Sequence, residues 1–462
     1  MAGIINCVEL SQAIKAEYVS FSENNTGEIL SVSIDSRNIE ANSLFVALIG
    51  EKQDGHNFVC NAINAGATAV MVDRDHWEDQ KQGLAESLKK LYANILIVEN
   101  TLKGLQKTAT YYLSKFPKLL KVGITGSSGK TTTKEIAASI ISTEKKVVMN
   151  MGNLNSETGL PLSVFQVRPF HEVGIFELGM NKPGEIEEIT AVLKPHIALI
   201  TNIGSAHIGF FGNKDAIAKE KKSIFSQFSG SEIALIPYND PYRDFLAKDV
   251  NGKVVFFNSD PNSVRDLGIN GFEIMWEGEK VKFPLSGLHN LKNAFSAIAI
   301  AKEIPVSSSA IRSGLSKAMN LFGRTEIIHS QKITLIRDCY NANPEATIAI
   351  IDMCDALKCK GKKIYVIGSM LELGSETKKA HEEVGRRLDD SNADIICMYG
   401  EEMRSAAELK NKKKPFFFTN DIEDLSNYLT YHIETGDIVL LKGSRALALE
   451  RLTDVLIAEV VP

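Results

Sequence analysis

Lys121-Val122-Gly123-Ile124-Thr125-Gly126-Ser127-Ser128-Gly129-Lys130-Thr131-Thr132-Thr133-Lys134-Glu135 is the stretch that decides the fold. The apolar run ending at Ile124 suits a buried strand, and Ile136, Ala137, Ile140 and Ile141 then recur at helical spacing. The glycine-rich turn between them opens a helix N-terminus, where unsatisfied backbone N–H groups aim at an anion. Gly126 and Gly129 let the backbone approach phosphate oxygens, Lys130 can neutralise the terminal phosphates, and the Thr131 hydroxyl can sit on a magnesium ion. Residues Thr125, Gly126, Ser127, Ser128, Gly129, Lys130, Thr131 and Thr132 therefore read as a nucleotide phosphate cradle, and the chemistry they point to is that of ATP. The usual G-x-x-x-x-G-K-[ST] spacing would place its first glycine at Ile124, whereas the available Gly123 comes one residue early.

Outward from this loop, a chain of 462 residues suggests about three domains. A net charge of -5 gives no global basic field, which argues against a nucleic-acid partner and leaves anion binding to local basic clusters. The six cysteines are scattered without a C-x-x-C or paired Cys/His spacing, so they read as reduced and mostly buried thiols. Apolar runs fall short of the ~18 residues that a membrane helix needs, and Glu9, Lys15 and Glu17 interrupt the N-terminus where a secretory leader would be apolar. The expectation is a cytoplasmic protein with no membrane insertion.

Residues 1–100 alternate short apolar runs (Ser31 to Ile34, Leu44 to Leu48, Ala69 to Val72, Ile95 to Val98) with polar turns and one helical segment near Phe58 to Ala65. Across 101–323, strand-like segments at Lys121-Thr125, Val173-Glu177, Ile197-Asn202 and Ile233-Pro237 alternate with helical patterns, which predicts a doubly wound, mainly parallel sheet. The alternation restarts over 324–462 at Ile333-Arg337, Lys363-Gly368, Ile395-Tyr399, Pro415-Phe418 and Ile438-Lys442. The predicted fold class is thus α/β in three domains, with a central ATPase domain built on the phosphate loop and a Rossmann-like C-terminal domain.

In open α/β sheets ligands collect at the carboxyl ends of strands. Glu177 ends one such strand and could hold magnesium opposite the cradle; as a bare strand-terminal carboxylate it reads equally as a solvated surface residue. His207 closes Thr201-Asn202-Ile203-Gly204-Ser205-Ala206-His207 and offers a ring nitrogen, although a lone histidine is more often structural. Asn150 to Pro161, rich in amides and closing with glycine and proline, reads as a turn. Lys219-Glu220-Lys221-Lys222 reads on charge alone as a solvated helix face.

The order of these segments resembles the ATP-dependent Mur ligases over nearly the whole chain. The shifted loop Gly-x-x-Gly-x-x-Gly-Lys-Thr-Thr is the form that family and its folylpolyglutamate synthetase relatives carry. Also similar are the Asn-rich segment at 150–161, Glu177-x-Gly179, Thr201 to His207, Gly287-Leu288-His289-Asn290-Leu291-x-Asn293-Ala294, Gly323-Arg324 and Asp338-x-Tyr340-Asn341-Ala342-Asn343-Pro344. Asp35-Ser36-Arg37 and Gly50 to His56 resemble the UDP-binding N-terminal domain of the two later peptide-adding members. Tyr340 to Pro344, Gly368-Ser369-Met370-Leu371-Glu372-Leu373-Gly374 and Lys442-Gly443-Ser444-Arg445 resemble the member that adds D-alanyl-D-alanine, and the Asp-Asn-Pro motif of the amino-acid-adding member is missing. Ser369 and Ser156 depart from the family's usual Asp and Asn.

The resemblance implies ATP-driven phosphorylation of a tripeptide carboxylate, attack by an amine on the acyl phosphate, and collapse to an amide, ADP and phosphate. UDP-N-acetylmuramoyl-tripeptide and D-alanyl-D-alanine are the implied partners of a monomeric enzyme. It further implies two magnesium ions, one on Thr131 and Glu177 and one near His207, with Lys221 as a carbamylated lysine; neighbouring Lys219 and Lys222 leave that register open. Asn290 and Asn293 are implied on the adenine side, Arg324 on phosphate and Asp338 on ribose. For the substrates, the implied residues are Ser36 and Arg37 at the UDP end, Asn153 and Asn155 in the amide-rich segment, and Lys442, Ser444 and Arg445 at an anionic or acyl-phosphate group. Two other readings stay open: the amino-acid-adding ligase acting on the UDP-dipeptide, and a nucleotide-gated binding protein without turnover.

Overall fold

The protein is described by a computed structural model covering residues 5–21, 27–258, 263–409, 414 and 416–457. Pro415, the start of one expected strand, lies outside the described residues.

Near the N-terminus a five-stranded sheet runs in the order Glu17–Ser20, Asn94–Val98, Ala67–Asp73, Ser43–Val46, Ser31–Ser33, antiparallel only in its first pair. Ala67–Asp73 is buried along its whole length, as a strand covered on both faces must be, and its centre, Ala69-Val70-Met71-Val72, is apolar without alternation. Helix Thr101–Ser114 starts where the Asn100 side chain accepts the Lys103 N–H at 2.9 Å. It packs on Cys7–Ile14 on one side and on Gly159–Val164 and Glu185–Leu193 on the other, bridging the first sheet to the second.

The second sheet has six parallel strands in the order Lys253–Phe257, Ile233–Pro237, Ile197–Ile200, Leu120–Thr125, Val173–Glu177, Val147–Met149. Its first strand in sequence, Leu120–Thr125, is central; the chain crosses to the Val147–Met149 edge, returns through Val173–Glu177 and then runs outward on the other side from Ile197–Ile200 to Lys253–Phe257. That reversal is a topological switch point, where loops diverge at the carboxyl edge and leave a crevice. Val122 and Ile124 are fully buried under helices Lys130–Ile141 and Leu288–Lys302, each such side chain contributing about 1.5–3 kcal/mol. A three-stranded antiparallel sheet, Val264–Asp266, Phe272–Trp276 and Glu279–Phe283, follows; the α/β alternation gave no sign of it.

The third sheet runs Glu326–His329, Ile333–Asp338, Asp437–Lys442, Lys363–Gly368, Ile395–Tyr399, Phe416–Thr419, again antiparallel only in the first pair. Loops after the carboxyl ends of the second and third sheets meet each other: Ser205 touches Glu345, and Gly209 donates its N–H to the Glu372 carbonyl at 2.9 Å.

Candidate active site between two sheets

Three adjacent strands of the second sheet deliver the phosphate cradle after Thr125, the carboxylate of Glu177, and the loop from Thr201 to His207. The third sheet supplies Asp338 and Lys442 from neighbouring strand ends. Between them lies a cavity of about 460 Å³, lined by Ser127 to Thr132, Asn153, Asn155, Glu177, His207, Asn290, Asn293, Arg324, Asp338, Tyr340 and Lys442 among others.

The cradle is held open by its own bonds. Ser127 Oγ accepts the Gly204 N–H at 2.8 Å, Asn202 Oδ1 accepts the Ser128 N–H at 3.2 Å, and Thr201 Oγ1 donates to the Ser128 carbonyl at 2.6 Å. Gly129 caps helix Lys130–Ile141 at φ +78°, and a Cβ there would lie 2.2 Å from Asn293 Oδ1, so both backbone and space require glycine. Thr125 is buried and donates to the Leu178 carbonyl at 2.9 Å, supporting the loop from beneath. Lys130 is partly buried and donates to the Gly126 carbonyl at 2.9 Å. Desolvation pushes its pKa down, opposed by Glu177 and reinforced by Arg324.

Thr131 Oγ1 donates to Glu177 Oε2 and Asn155 Nδ2 donates to Glu177 Oε1, both at 2.7 Å. Hydroxyl and carboxylate oxygens, adjacent at a phosphate cradle, fit a hard oxygen-seeking cation such as magnesium. Behind them, Asn150 Oδ1 accepts the Glu177 N–H at 2.9 Å while its Nδ2 donates to the Glu177 and Leu154 carbonyls, and fully buried Lys134 donates to the Asn150 carbonyl at 2.5 Å. Asn150 thus fixes the strand end that carries Glu177, a role that the amide-rich composition alone did not reveal. The expected turn there stops at Thr158, because Gly159-Leu160-Pro161 opens helix Gly159–Val164, whose first turn tolerates a proline without an N–H.

His207 sits at φ +64°, its Nδ1 buried and 2.7 Å from Glu372 Oε2 without the alignment of a hydrogen bond. The solvated-face reading of residues 219–222 is corrected. Helix Lys214–Lys222 turns Ile217, Ala218, Glu220 and Lys221 inward, and Glu220 accepts the Gly184 and Ile186 N–H groups at the start of helix Glu185–Leu193. Lys219 is exposed, Lys222 bonds the Phe245 and Lys248 carbonyls, and Lys221 is 1% exposed with Met180 Sδ 3.6 Å from its amine. Burial, with nearby Lys130, holds the Lys221 pKa well below the ordinary lysine value.

Asn290 and Asn293 lie inside helix Leu288–Lys302, not at its cap; Asn290 Nδ2 donates to the Ser286 carbonyl at 2.8 Å. The Arg324 guanidinium stacks on the Tyr340 ring at 4.1 Å. Asp338 accepts the Thr325 N–H at 3.0 Å and pairs with Lys442 at 2.9 Å. Other expected residues stand apart from this cavity: Ser444 Oγ accepts the Leu371 N–H, Arg445 pairs with Glu450, and Ser36 and Arg37 belong to the N-terminal unit, Arg37 paired with Asp35. Sequence reading missed Glu345 and Glu372 as site neighbours, although Glu372 lay within the quoted Gly368 to Gly374 segment.

A phosphate cradle at a switch point, an oxygen-donor pair beside it and a basic, aromatic wall from a second sheet define an ATP-dependent ligase assembled from several domains. Residues 28–112 match the Mur ligase family catalytic domain, 124–301 the Mur ligase middle domain, and 323–445 the Mur ligase glutamate ligase domain. The chain belongs to the Mur ligase family. It is 39% identical over 432 residues to the UDP-N-acetylmuramoyl-tripeptide–D-alanyl-D-alanine ligase of Treponema pallidum, covering 92% of this chain and 93% of that one. Identity to the ligase of the same name from Bacillus subtilis is 30% over 447 residues, covering 92% and 93%. Among solved structures, MurF from Acinetobacter baumannii superposes with a TM-score of 0.87 at 28% identity, covering 98% of this chain and 99% of that one. MurF from Thermotoga maritima in complex with ADP gives 0.80 at 29% identity, covering 92% and 96%. Among the described residues no helix is long and apolar enough to cross a membrane.

Proposed function

We infer that the chain is an ATP-dependent, ADP-forming amide ligase that joins D-alanyl-D-alanine to UDP-N-acetylmuramoyl-tripeptide, giving the UDP-pentapeptide precursor of peptidoglycan. The observation that carries this reading is the convergence of Lys130, the Thr131–Glu177 pair and His207 on one cavity faced by Arg324, Asp338 and Lys442. The curated relatives named above, matched over nine-tenths of their length, carry the substrate assignment.

Amide formation from a carboxylate in water is unfavourable, so the tripeptide carboxylate is first activated as an acyl phosphate. Lys130 and the cradle N–H groups neutralise charge on the transferring phosphoryl group, and Arg324 adds a second cation from the opposite wall. Thr131 with Glu177, and His207, would each hold a magnesium ion, which would supply positive charge against the phosphate oxygens. The dipeptide amine then attacks the acyl carbon, and the tetrahedral adduct collapses with loss of phosphate. Closure of the third sheet over the cavity excludes water that would hydrolyse the acyl phosphate.

Lys221 has the environment that carbamylation needs. Its amine is buried and biased toward the neutral, nucleophilic form, so addition of carbon dioxide with loss of a proton would convert it into an anion near Lys130. Residues 1–100 with Ser36 and Arg37 are assigned to the UDP end, 101–323 to ATP, and 324–462 to the dipeptide, with Asn153 and Asn155 on the tripeptide side and Lys442, Ser444 and Arg445 on the acyl-phosphate side. We take the enzyme to act as a monomer.

The deciding experiment is phosphate release with Mg-ATP, UDP-N-acetylmuramoyl-tripeptide and D-alanyl-D-alanine, each omitted in turn. Release that needs all three, with a UDP-pentapeptide by mass, is the expected result. Turnover only with the UDP-dipeptide and an amino acid would assign the preceding step instead, and tight binding without turnover would indicate a nucleotide-gated binding protein.

A further inference from the structure

Two glutamates of the C-terminal unit clasp the loop that carries His207. Glu345, at the start of helix Pro344–Ala356, accepts the Ser205 N–H at 3.1 Å, the Ser205 hydroxyl at 2.6 Å and the Lys214 amine at 2.8 Å. Glu372, in the loop after strand Lys363–Gly368, grips the other side. Its Oε2 lies 2.7 Å from His207 Nδ1, and its backbone carbonyl accepts the Gly209 N–H at 2.9 Å.

The backbone here is built for close approach. A Cβ on Gly209 would lie 2.7 Å from Gly374 N, and a Cβ on Gly374 2.7 Å from Gly209 Cα, so these two loops touch through bare main chain. His207 and Glu372 both hold the left-handed conformation, at φ +64° and +65°, which costs a non-glycine residue about 1–2 kcal/mol each. Two such residues facing each other across a contact between units are over-determined by their surroundings.

We propose that Glu372 is a positioning residue: when the C-terminal unit closes, its carboxylate engages His207 Nδ1 and leaves Nε2 as the ring nitrogen available to a metal ion at the phosphoryl site. The inference rests on the reading of His207 as a metal ligand. A histidine that binds metal through one nitrogen is held in tautomer and orientation by a carboxylate or carbonyl on the other, and loss of that support typically costs about 10–100-fold in metal affinity or activity. Here the support comes from a different domain than the ligand. Phosphoryl transfer is thereby coupled to closure: the histidine is aimed only when the unit assigned to the incoming amine is in place, so the acyl phosphate is not made in an enzyme open to water.

The test compares Glu372→Ala and Glu372→Gln with wild type in steady-state turnover and in Mn²⁺ binding in the presence of ADP, followed by electron paramagnetic resonance. Glu372 is 46% exposed, so neither change opens a core cavity; thermal melts confirm folding. The expected result is that Glu372→Ala lowers kcat and weakens the His207-dependent Mn²⁺ affinity by about 10–100-fold, with KM for ATP held within about 2-fold. Glu372→Gln, which keeps an oxygen acceptor for Nδ1–H, recovers most of both. Wild-type kcat and Mn²⁺ affinity in Glu372→Ala would overturn the proposal. So would loss of ligand-induced compaction in small-angle scattering without recovery in Glu372→Gln, because that marks a purely structural latch. His207→Ala separates the premise: if it retains full Mn²⁺ affinity, the reading of His207 as a ligand fails first.

Discussion

Thr131 Oγ1, in the first turn of helix Lys130–Ile141, donates a 2.7 Å hydrogen bond to Glu177 Oε2 at the end of the strand that pairs with Leu120–Thr125. With Asn155 Nδ2 donating to Oε1, both carboxylate oxygens are held by side-chain donors. Such preorganisation removes the reorganisation cost that a flexible carboxylate would add to each turnover.

Glu177→Gln keeps a hydrogen-bonding shape at that position and removes the charge. It is expected to lower kcat by about 10²-fold or more and to raise the magnesium concentration needed for half-maximal rate. Phosphate release as a function of magnesium measures both; an unchanged magnesium dependence would remove Glu177 from the metal site.

Asn150→Ala leaves the buried Glu177 N–H and carbonyl without their side-chain partner. Each group left unpaired costs about 1–3 kcal/mol, so a lower denaturation midpoint is expected together with a reduced rate. Urea unfolding monitored by circular dichroism checks the first, and stability equal to wild type would refute the support role.

Gly129→Ala forces a side chain into a φ of +78° and against Asn293. Nucleotide affinity is expected to fall at least about 10-fold, equivalent to about 1.4 kcal/mol, while the rest of the fold persists. Calorimetric titration with ADP measures it.

Lys221 gives a pH signature. Its folded pKa lies well below the unfolded 10.5, so between the two values the unfolded chain holds the extra proton and stability rises with pH. Below the folded pKa the cost of burying the charged amine is fully present. Lys221→Met in carbon-dioxide-free buffer is therefore expected to be more stable than wild type, most of all at low pH, with the gain shrinking as pH rises toward 10.5. In turnover the same variant is expected to lose most activity, and partial rescue of Lys221→Ala by short carboxylic acids would tie the loss to a missing anion. Full wild-type rates in bicarbonate-free buffer would refute carbamylation.

The phosphate cradle and the central strands were legible in the chain because each is local: a buried run, a glycine turn and a helix are written in about fifteen consecutive residues, whereas Glu177 read equally as a solvated surface carboxylate until the fold set it against Thr131. Strands of the first and third sheets were legible for the same reason, as short apolar runs between polar turns. The antiparallel sheet from Val264 to Phe283 was not, since its strands are short and partly exposed and carry a weak periodic signal. Which lysine of 219–222 is buried came from packing, because the three differ only in the direction their helix turns them. Packing also decided that Asn150 braces Glu177 and that Glu345 and Glu372 clasp the His207 loop. Those contacts join residues from about 27 to 165 positions apart, and pairings at that separation are fixed by how sheets stack, which no local pattern of hydrophobicity encodes.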